Sequence, residues 1–239
     1  MTDIQLRALT KRYGPITAVE DLTFTARAGT VTGFLGPNGA GKTTALRALL
    51  GLARPTSGTA LIGGRPYAEI PDPTRTVGAV LGPDAFHTGR TGRAHLEVLA
   101  IAAGLPMSRV DEVLELVDLT SAAGRRVGGW SLGMRQRLAL AAALLGDPEV
   151  LVCDEPANGL DPEGIAWMRA LLRGLADDGR TVLMSSHLLA EVTRTVDRIV
   201  LISGGRLRFD GPLDDLLAQA GAEGDLESAF LELTGSVTA

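Results

Sequence analysis

Cysteine is almost absent from this sequence, and lysine is nearly as rare. The single cysteine, Cys153, cannot form an internal disulfide, and no CxxC pair offers a zinc framework, so we expect a reducing cytosolic compartment. Lys11 and Lys42 are the only lysines in a chain of net charge -5, whose other basic residues are arginines. Because no lysine-rich patch is present, the composition disfavours a charge-driven nucleic-acid binder.

Long uninterrupted apolar runs are also missing. Charged residues interrupt the N-terminal stretch, so it lacks the apolar centre of a signal peptide, and no window reaches about eighteen consecutive apolar residues. We therefore expect a chain that is soluble by itself. With 239 residues, 45% of them hydrophobic, the chain can bury one sizeable core.

Short apolar runs alternate with helical patterns along most of the chain. Asp161 and Pro162 are a typical helix start and predict a helix that continues to Gly174 or Gly179. The alternation predicts an α/β domain with a largely parallel sheet. The runs expected to form buried strands are Val31–Leu35, Val77–Leu81, Val150–Cys153, Thr181–Ser185 and Ile199–Ile202.

The pattern changes to helices alone over about residues 86–147. Helices are predicted over Ala94–Ala103 and in the run after Gly133, and between them Ser108 and Asp111 resemble a capping box. We interpret this segment as a helical subdomain inserted into an α/β core.

The core would then comprise about residues 1–85 and 148–211, giving a single domain over residues 1–211. Residues 212–239 are predicted to form a short tail with helices near Leu213–Ala220 and Asp225–Leu233. No internal repeat is visible in the sequence.

A glycine-rich turn joins a predicted strand to a predicted helix in GFLGPNGAGKTTAL, residues 33–46. Gly36, Gly41, Lys42 and Thr43 fit the pattern G-x-x-x-x-G-K-[ST], and glycines at such a junction indicate that the backbone must approach something closely. Backbone N–H groups would hold phosphates, the lysine would neutralise β- and γ-oxygens, and the threonine hydroxyl would ligate Mg²⁺. Further nucleotide contacts are expected from Pro37, Asn38, Gly39, Ala40 and Thr44.

Two adjacent carboxylates end the predicted strand in VLVCDEP, residues 150–156. Open α/β sheets place their ligands at such strand ends. Asp154 can hold Mg²⁺, and Glu155 can orient or deprotonate a water that attacks the γ-phosphate. His187, which follows another predicted strand, can contact the γ-phosphate or that water, although a lone histidine there is more often an ordinary helix-start residue. The phosphate loop upstream favours the functional interpretation.

A second helix start with small residues lies in GGWSLGMRQRLALAAALL, residues 128–145. Ser131 and Gly133 precede an apolar helix whose N-terminus can bind an anion. This segment is either an ordinary capped helix or a site for the nucleotide of another subunit, and the pattern by itself leaves both open.

Together these motifs resemble the ATP-binding subunit of ABC transporters over essentially the whole chain. GPNGAGKTT is similar to that family's phosphate loop, WSLGMRQR to its signature motif, VLVCDEP to its magnesium strand, NGLD to its dimer-contact loop and SSH to its switch histidine. Tyr13 lies where family members stack an aromatic ring on adenine. The resemblance implies a P-loop NTPase fold of the ABC ATPase type, with a mostly parallel central sheet, flanking helices and an N-terminal antiparallel β part.

The resemblance also implies a mechanism that requires two chains and a membrane partner. Two subunits would pack head to tail around two ATP molecules, each held between one phosphate loop and Ser131 and Gly133 of the other chain, with Asp161 linking the sites. The second subunit would be another copy of this chain or a related ATP-binding subunit, and a separate integral-membrane permease would dock on the helical subdomain. The implied catalytic residues are Glu155, His187 and Lys42, and the implied Mg²⁺ ligands are Thr43 and Asp154.

Similarity to one branch of the family indicates the direction of transport. WSLGMRQR, SSHLLAEV and LESAFLELTG are similar to exporters whose permease is a separate polypeptide, including those that confer drug or antibiotic resistance. We therefore expect a cytoplasmic subunit, peripheral on the inner face of the cell membrane, with no nucleic-acid partner.

The sequence departs from the family pattern in two places. Leu132 and Met134 replace a glycine and a glutamine of the signature motif. Gly82 stands where the family has a glutamine or glutamate that touches magnesium and relays its state to the permease, so Asp84, His87 or water would have to substitute. We expect the glycine at position 82 to affect the coupling of ATP hydrolysis to the permease more than ATP binding.

Two alternative functions remain open at this point. The chain could be a binding-only or weakly active half of a heterodimeric ABC ATPase, which Gly82 permits but the intact Lys42, Asp154, Glu155 and His187 oppose. It could also be a soluble ATP switch acting on nucleic acid or the ribosome. The sequence has neither the coiled-coil insertion, the zinc cysteines nor the second cassette that such family members carry.

Overall fold

The computed structural model describes residues 2–82, 86–187, 192–219, 230 and 233. The chain divides into two compact units, Met1–Ile70 with Arg169–Ala239, and Pro71–Met168. Within the described ranges, none of the helices combines the length and the apolarity that crossing a bilayer requires.

The first unit contains a three-stranded antiparallel sheet formed largely by the N-terminal residues. Strand β1 (Ile4–Tyr13) is central, between β2 (Ile16–Ala26) and β4 (Ser57–Ile62). A two-residue turn, Gly14 and Pro15, connects β1 to β2. The predicted N-terminal antiparallel part is confirmed.

The same unit contains four adjacent strands of a mainly parallel sheet. Its order is β7, β3, β8 and β9, in which β3 pairs in parallel with both of its neighbours and β9 pairs antiparallel with β8. Every residue of β3 and β7 is buried, as expected for strands covered on both faces. The strands are β3 (Val31–Leu35), β7 (Thr181–Ser186), β8 (Arg198–Ser203) and β9 (Arg206–Pro212).

The second unit combines a parallel strand pair with helices. Strands β5 (Val77–Val80) and β6 (Val150–Cys153) pair in parallel register. Three of the helices contact one another and bury Leu96, Leu114 and Leu138. The helices that begin in this unit are α2 (Pro73–Thr76), α3 (Gly92–Ala102), α4 (Ser108–Leu116), α5 (Leu132–Leu144) and α6 (Pro162–Asp177).

Helices α1 (Lys42–Leu49) and α7 (Leu213–Gln219) lie in the first unit. Helix α1 directly follows the predicted phosphate loop, and α7 matches the first predicted helix of the tail. The second tail helix, predicted over Asp225–Leu233, lies outside the described residues apart from Phe230 and Leu233.

The predicted capping box at the start of α4 is wrong. Met107 occupies the N-cap position and no side chain caps the helix. The Asp111 carboxylate instead accepts a hydrogen bond from the guanidinium of Arg93, at 2.5 Å. The carboxylate that the local pattern assigns to the helix start therefore forms an ion pair with Arg93 of α3.

Candidate functional site

The phosphate loop, residues 36–41, leaves β3 and enters α1. A Cβ atom at Gly36 would collide with the carbonyl oxygen of Ile202, and one at Gly41 with the carbonyl oxygen of Ala18. The sequence predicts that the backbone approaches something closely at these glycines. At Gly36 and Gly41 the close neighbour is a backbone carbonyl of the protein itself. At Gly39 a Cβ would meet no atom within 4 Å. The loop therefore packs against the backbone of β2 and β8 at Gly41 and Gly36, whereas Gly39 has space for a ligand among the described residues.

Lys42, the first residue of α1, extends back into the loop and is buried. Its Nζ donates hydrogen bonds to the carbonyl oxygens of Gly36, at 2.6 Å, and Pro37, at 3.3 Å. Gly41 is the N-cap of α1, and no side chain caps the helix there. A positive charge and the N-terminus of a helix thus coincide, which is an arrangement that suits a polyphosphate.

The phosphate loop and His187 both lie at the carboxyl ends of neighbouring parallel strands. Leu35, the last residue of β3, lies opposite Ser186, the last residue of β7, in parallel register. Gly36 and half-buried His187 therefore follow adjacent strands. Thr43 and Thr44, in the first turn of α1, are half-buried.

Tyr13 ends β1 and is 49% exposed. The Nζ atom of Lys11 lies 4.7 Å from the centroid of its ring. An exposed aromatic ring at the tip of a hairpin can offer a face to a planar ligand.

In the second unit the two predicted carboxylates follow β6. Val80 and Cys153 are register partners, and the backbone N–H of Asp154 donates to the carbonyl oxygen of Val80 at 2.7 Å. The Asp154 side chain is buried and Glu155 is half-buried. A hard carboxylate oxygen at this strand end is a suitable magnesium ligand.

Glu155 has a left-handed backbone conformation, with φ at 50°. A residue with a Cβ adopts this conformation at a cost of about 1–2 kcal/mol. The backbone N–H of Asn158 donates to the Glu155 carbonyl at 3.2 Å, which closes a turn around the residue. Strain of this kind concentrates at functional positions, so the geometry favours a role for the Glu155 carboxylate.

Cys153 precedes the two carboxylates and is completely buried. Burial, together with the charge of Asp154, raises the pKa of its thiol to about 12. The thiol therefore stays protonated and unreactive at neutral pH.

The signature segment and the NGLD segment each begin a helix. The Ser131 hydroxyl caps α5 by accepting from the N–H of Met134 at 3.2 Å, and the Asp161 carboxylate caps α6 by accepting from the N–H of Gly164 at 2.8 Å. Leu132 packs so closely on Gly159 that a Cβ there would collide with it. Leu132, which sequence reasoning treated only as a departure, therefore joins the two segments, a contact that no local pattern could reveal.

Gly82 follows β5 by two residues and has φ at 157°, a conformation that favours glycine. A Cβ there would meet no atom of the described residues within 4 Å, so among these residues a side chain has space but would strain the backbone. Of the proposed substitutes, Asp84 lies outside the described residues, and the exposed His87 accepts a hydrogen bond at Nδ1 from the N–H of Gly89, at 3.2 Å.

Comparison with known proteins gives concordant matches. The family model described as ABC transporter matches residues 19–158. A bacitracin transport ATP-binding protein of Bacillus licheniformis is 42% identical over 218 residues, 90% of this chain and 71% of that protein. A daunorubicin resistance ATP-binding protein of Streptomyces coeruleorubidus is 38% identical over 227 residues, 93% of this chain and 72% of that protein.

One solved structure, described as the ATP-binding subunit of an ABC transporter, superposes with a TM-score of 0.86. It is 28% identical and covers 97% of this chain and 99% of that one. The superposition, together with the strand pairings above, confirms the predicted fold class.

Proposed function

The chain belongs to the ABC transporter family as an ATP-binding, ATP-hydrolysing subunit, and from this premise we propose that it powers export of a drug, antibiotic or other hydrophobic compound through a separate permease. The observation that carries the ATPase part is the buried Lys42 ammonium, held by two loop carbonyls at the N-terminus of α1. The relatives named for bacitracin transport and daunorubicin resistance support export.

In this proposal the phosphate loop and Tyr13 hold ATP. The backbone of residues 36–41 and the ammonium of Lys42 bind the phosphates, and the exposed Tyr13 ring stacks on adenine. The Thr43 hydroxyl and the Asp154 carboxylate are the hard oxygen ligands that Mg²⁺ prefers, and the ion would neutralise charge on the phosphates.

Glu155 and His187 are assigned to hydrolysis. The Glu155 carboxylate takes a proton from the attacking water, and His187 donates a hydrogen bond to the γ-phosphate. Because Lys42, Asp154, Glu155 and His187 are all present, we favour an active subunit over a binding-only half of a heterodimer.

A second chain completes each ATP site. The Ser131 hydroxyl uses its oxygen to accept from Met134, so its proton can be donated to a phosphate oxygen of nucleotide bound to the other chain. Gly133 and the N-terminus of α5 lie beside it, and Asp161 lies on the NGLD segment that Leu132 contacts. The two chains pack head to tail, either as two copies or with a related subunit.

The permease would dock on the second unit, which places the chain on the cytoplasmic face of the membrane. Val98 and Ile101 on α3 are exposed, Ile101 to 70%. Exposed apolar side chains beside a groove are typical of protein contact surfaces. The groove has a volume of about 310 Å³ and is lined by Thr74, Leu99, Ala102, Ala103, Ala142 and Leu145.

Drug sensitivity tests the export function. The chain is expressed in a sensitive host together with a candidate permease, a membrane protein with about six apolar spans of roughly twenty residues. We expect resistance to a compound such as bacitracin or daunorubicin, and we expect Glu155→Gln to abolish it. Glu155→Gln giving the same resistance as the wild-type chain would contradict an ATP-driven role.

Gly82 gives a separate prediction about coupling. We expect Gly82→Gln to change ATP turnover in the assembled transporter, because it restores an amide side chain in open space beside the end of β5. Gly82→Ala is the matched control, since it imposes the same backbone strain without the amide. Phosphate release from the complex is measured for both variants. Equal rates in Gly82→Gln and Gly82→Ala would contradict a role of the amide in coupling.

A further inference from the structure

We infer that Lys11 is a positioning residue, which holds the Tyr13 ring ready to stack on the nucleobase. This inference rests on the proposed contact between Tyr13 and adenine. It starts from the position of the Lys11 ammonium, 4.7 Å from the centroid of the Tyr13 ring. At this distance a cation is attracted to the face of an aromatic ring.

The Tyr13 ring lies at an exposed hairpin tip, where little packing restricts its conformation. Tyr13 lies opposite Ile16 across the β1–β2 turn, and both side chains are exposed. An exposed tyrosine at a hairpin tip can adopt several rotamers, and binding a ligand would require it to be ordered. Lys11 lies two residues before Tyr13 along β1, a spacing that places side chains on the same face of a strand.

Lys11 is itself anchored. Its Nζ donates to the carbonyl oxygen of Arg54, at 2.8 Å, in the segment that follows α1. The backbone holds this segment against β1, because the N–H of Thr56 donates to the carbonyl oxygen of Thr10 at 2.8 Å. The ammonium is therefore fixed at two points, the Arg54 carbonyl and the Tyr13 ring.

This arrangement assigns different roles to the two faces of the ring. The Lys11 ammonium occupies one face, which leaves the opposite face for the base. Because the ring is held before ATP arrives, less conformational freedom is lost on binding. Lys11 acts through Tyr13 alone, so its contribution should depend on the base and not on the phosphates.

Binding of ATP and of inorganic tripolyphosphate, which has no base, separates these contributions. Both are titrated calorimetrically into the full chain with Mg²⁺, in a Glu155→Gln background that prevents turnover. We expect Lys11→Met to weaken ATP binding about two- to fivefold and to leave tripolyphosphate binding unchanged. Lys11→Arg, which keeps a cation able to lie on an aromatic ring, should restore ATP binding.

Four outcomes would overturn the inference. Equal losses for ATP and tripolyphosphate would mean that Lys11 merely supports the fold, and so would a loss that persists in a Tyr13→Leu background. An unchanged ATP affinity in Lys11→Met, with Tyr13→Leu clearly weakened, would remove the role of Lys11 and keep the adenine contact. An unchanged ATP affinity in Tyr13→Leu would remove the adenine contact itself, and the inference with it.

Discussion

Replacing Glu155 by glutamine is expected to lower phosphate release from MgATP by about 10²- to 10⁴-fold. Glutamine has nearly the same shape as glutamate but cannot accept the proton of the attacking water. Because the substitution keeps the side-chain length and the turn closed by the N–H of Asn158, MgATP binding should persist. Single-turnover phosphate release measures the chemical step, and calorimetry measures the binding.

Glu163→Gln is the matched control for this prediction. Glu163 lies in the first turn of α6, is exposed, and has no assigned role, so the same change of charge there should leave hydrolysis near the wild-type rate. Comparable losses in the two variants would show that Glu155 contributes no more than an ordinary surface carboxylate.

Lys42→Met is expected to weaken binding of both ATP and tripolyphosphate by about 10- to 100-fold. The estimate corresponds to the loss of about one charge-assisted contact, which contributes about 1.5–3 kcal/mol to the binding free energy. The ammonium is buried and held at two loop carbonyls, so methionine would remove a positive charge from within the phosphate loop. Calorimetric titration with each anion checks the prediction.

Lys11→Met serves as its control because Lys11 is the only other lysine in the chain. It should preserve tripolyphosphate binding, whereas Lys42→Met should lose it. The melting temperature of each variant shows whether the fold is intact. A folded Lys42→Met variant with wild-type affinity for tripolyphosphate would contradict the assignment of the phosphate site.

Sequence reasoning was most successful where the pattern is local. The apolar run of Val150–Cys153 is a strand with the predicted bounds, because its burial on both faces needs only its own residues. The strand, glycine turn and lysine around Gly36 and Lys42 likewise lie in consecutive positions, and the structure shows them as β3, loop and α1.

Features that depend on distant residues were missed. Strand β9 has mostly exposed or half-buried residues and becomes evident only as the partner of β8. The local pattern predicts a helix cap at Asp111, whereas the structure pairs this carboxylate with Arg93 on another helix. The reason for a glycine at position 159 is the Leu132 side chain, which a single sequence cannot place beside it.

The central claim is that ATP binds between two chains, and chemical cross-linking tests it most directly. Asn38→Cys and Ser131→Cys are introduced separately into Glu155→Gln chains, and a short bis-maleimide is added with and without MgATP. Both positions are exposed, and buried Cys153, with its raised pKa, should not react. The account predicts a covalent dimer only when the two variants are mixed and MgATP is present. No covalent dimer in that mixture would contradict a dimer of two copies of this chain, and equal amounts from either variant alone would contradict its head-to-tail arrangement.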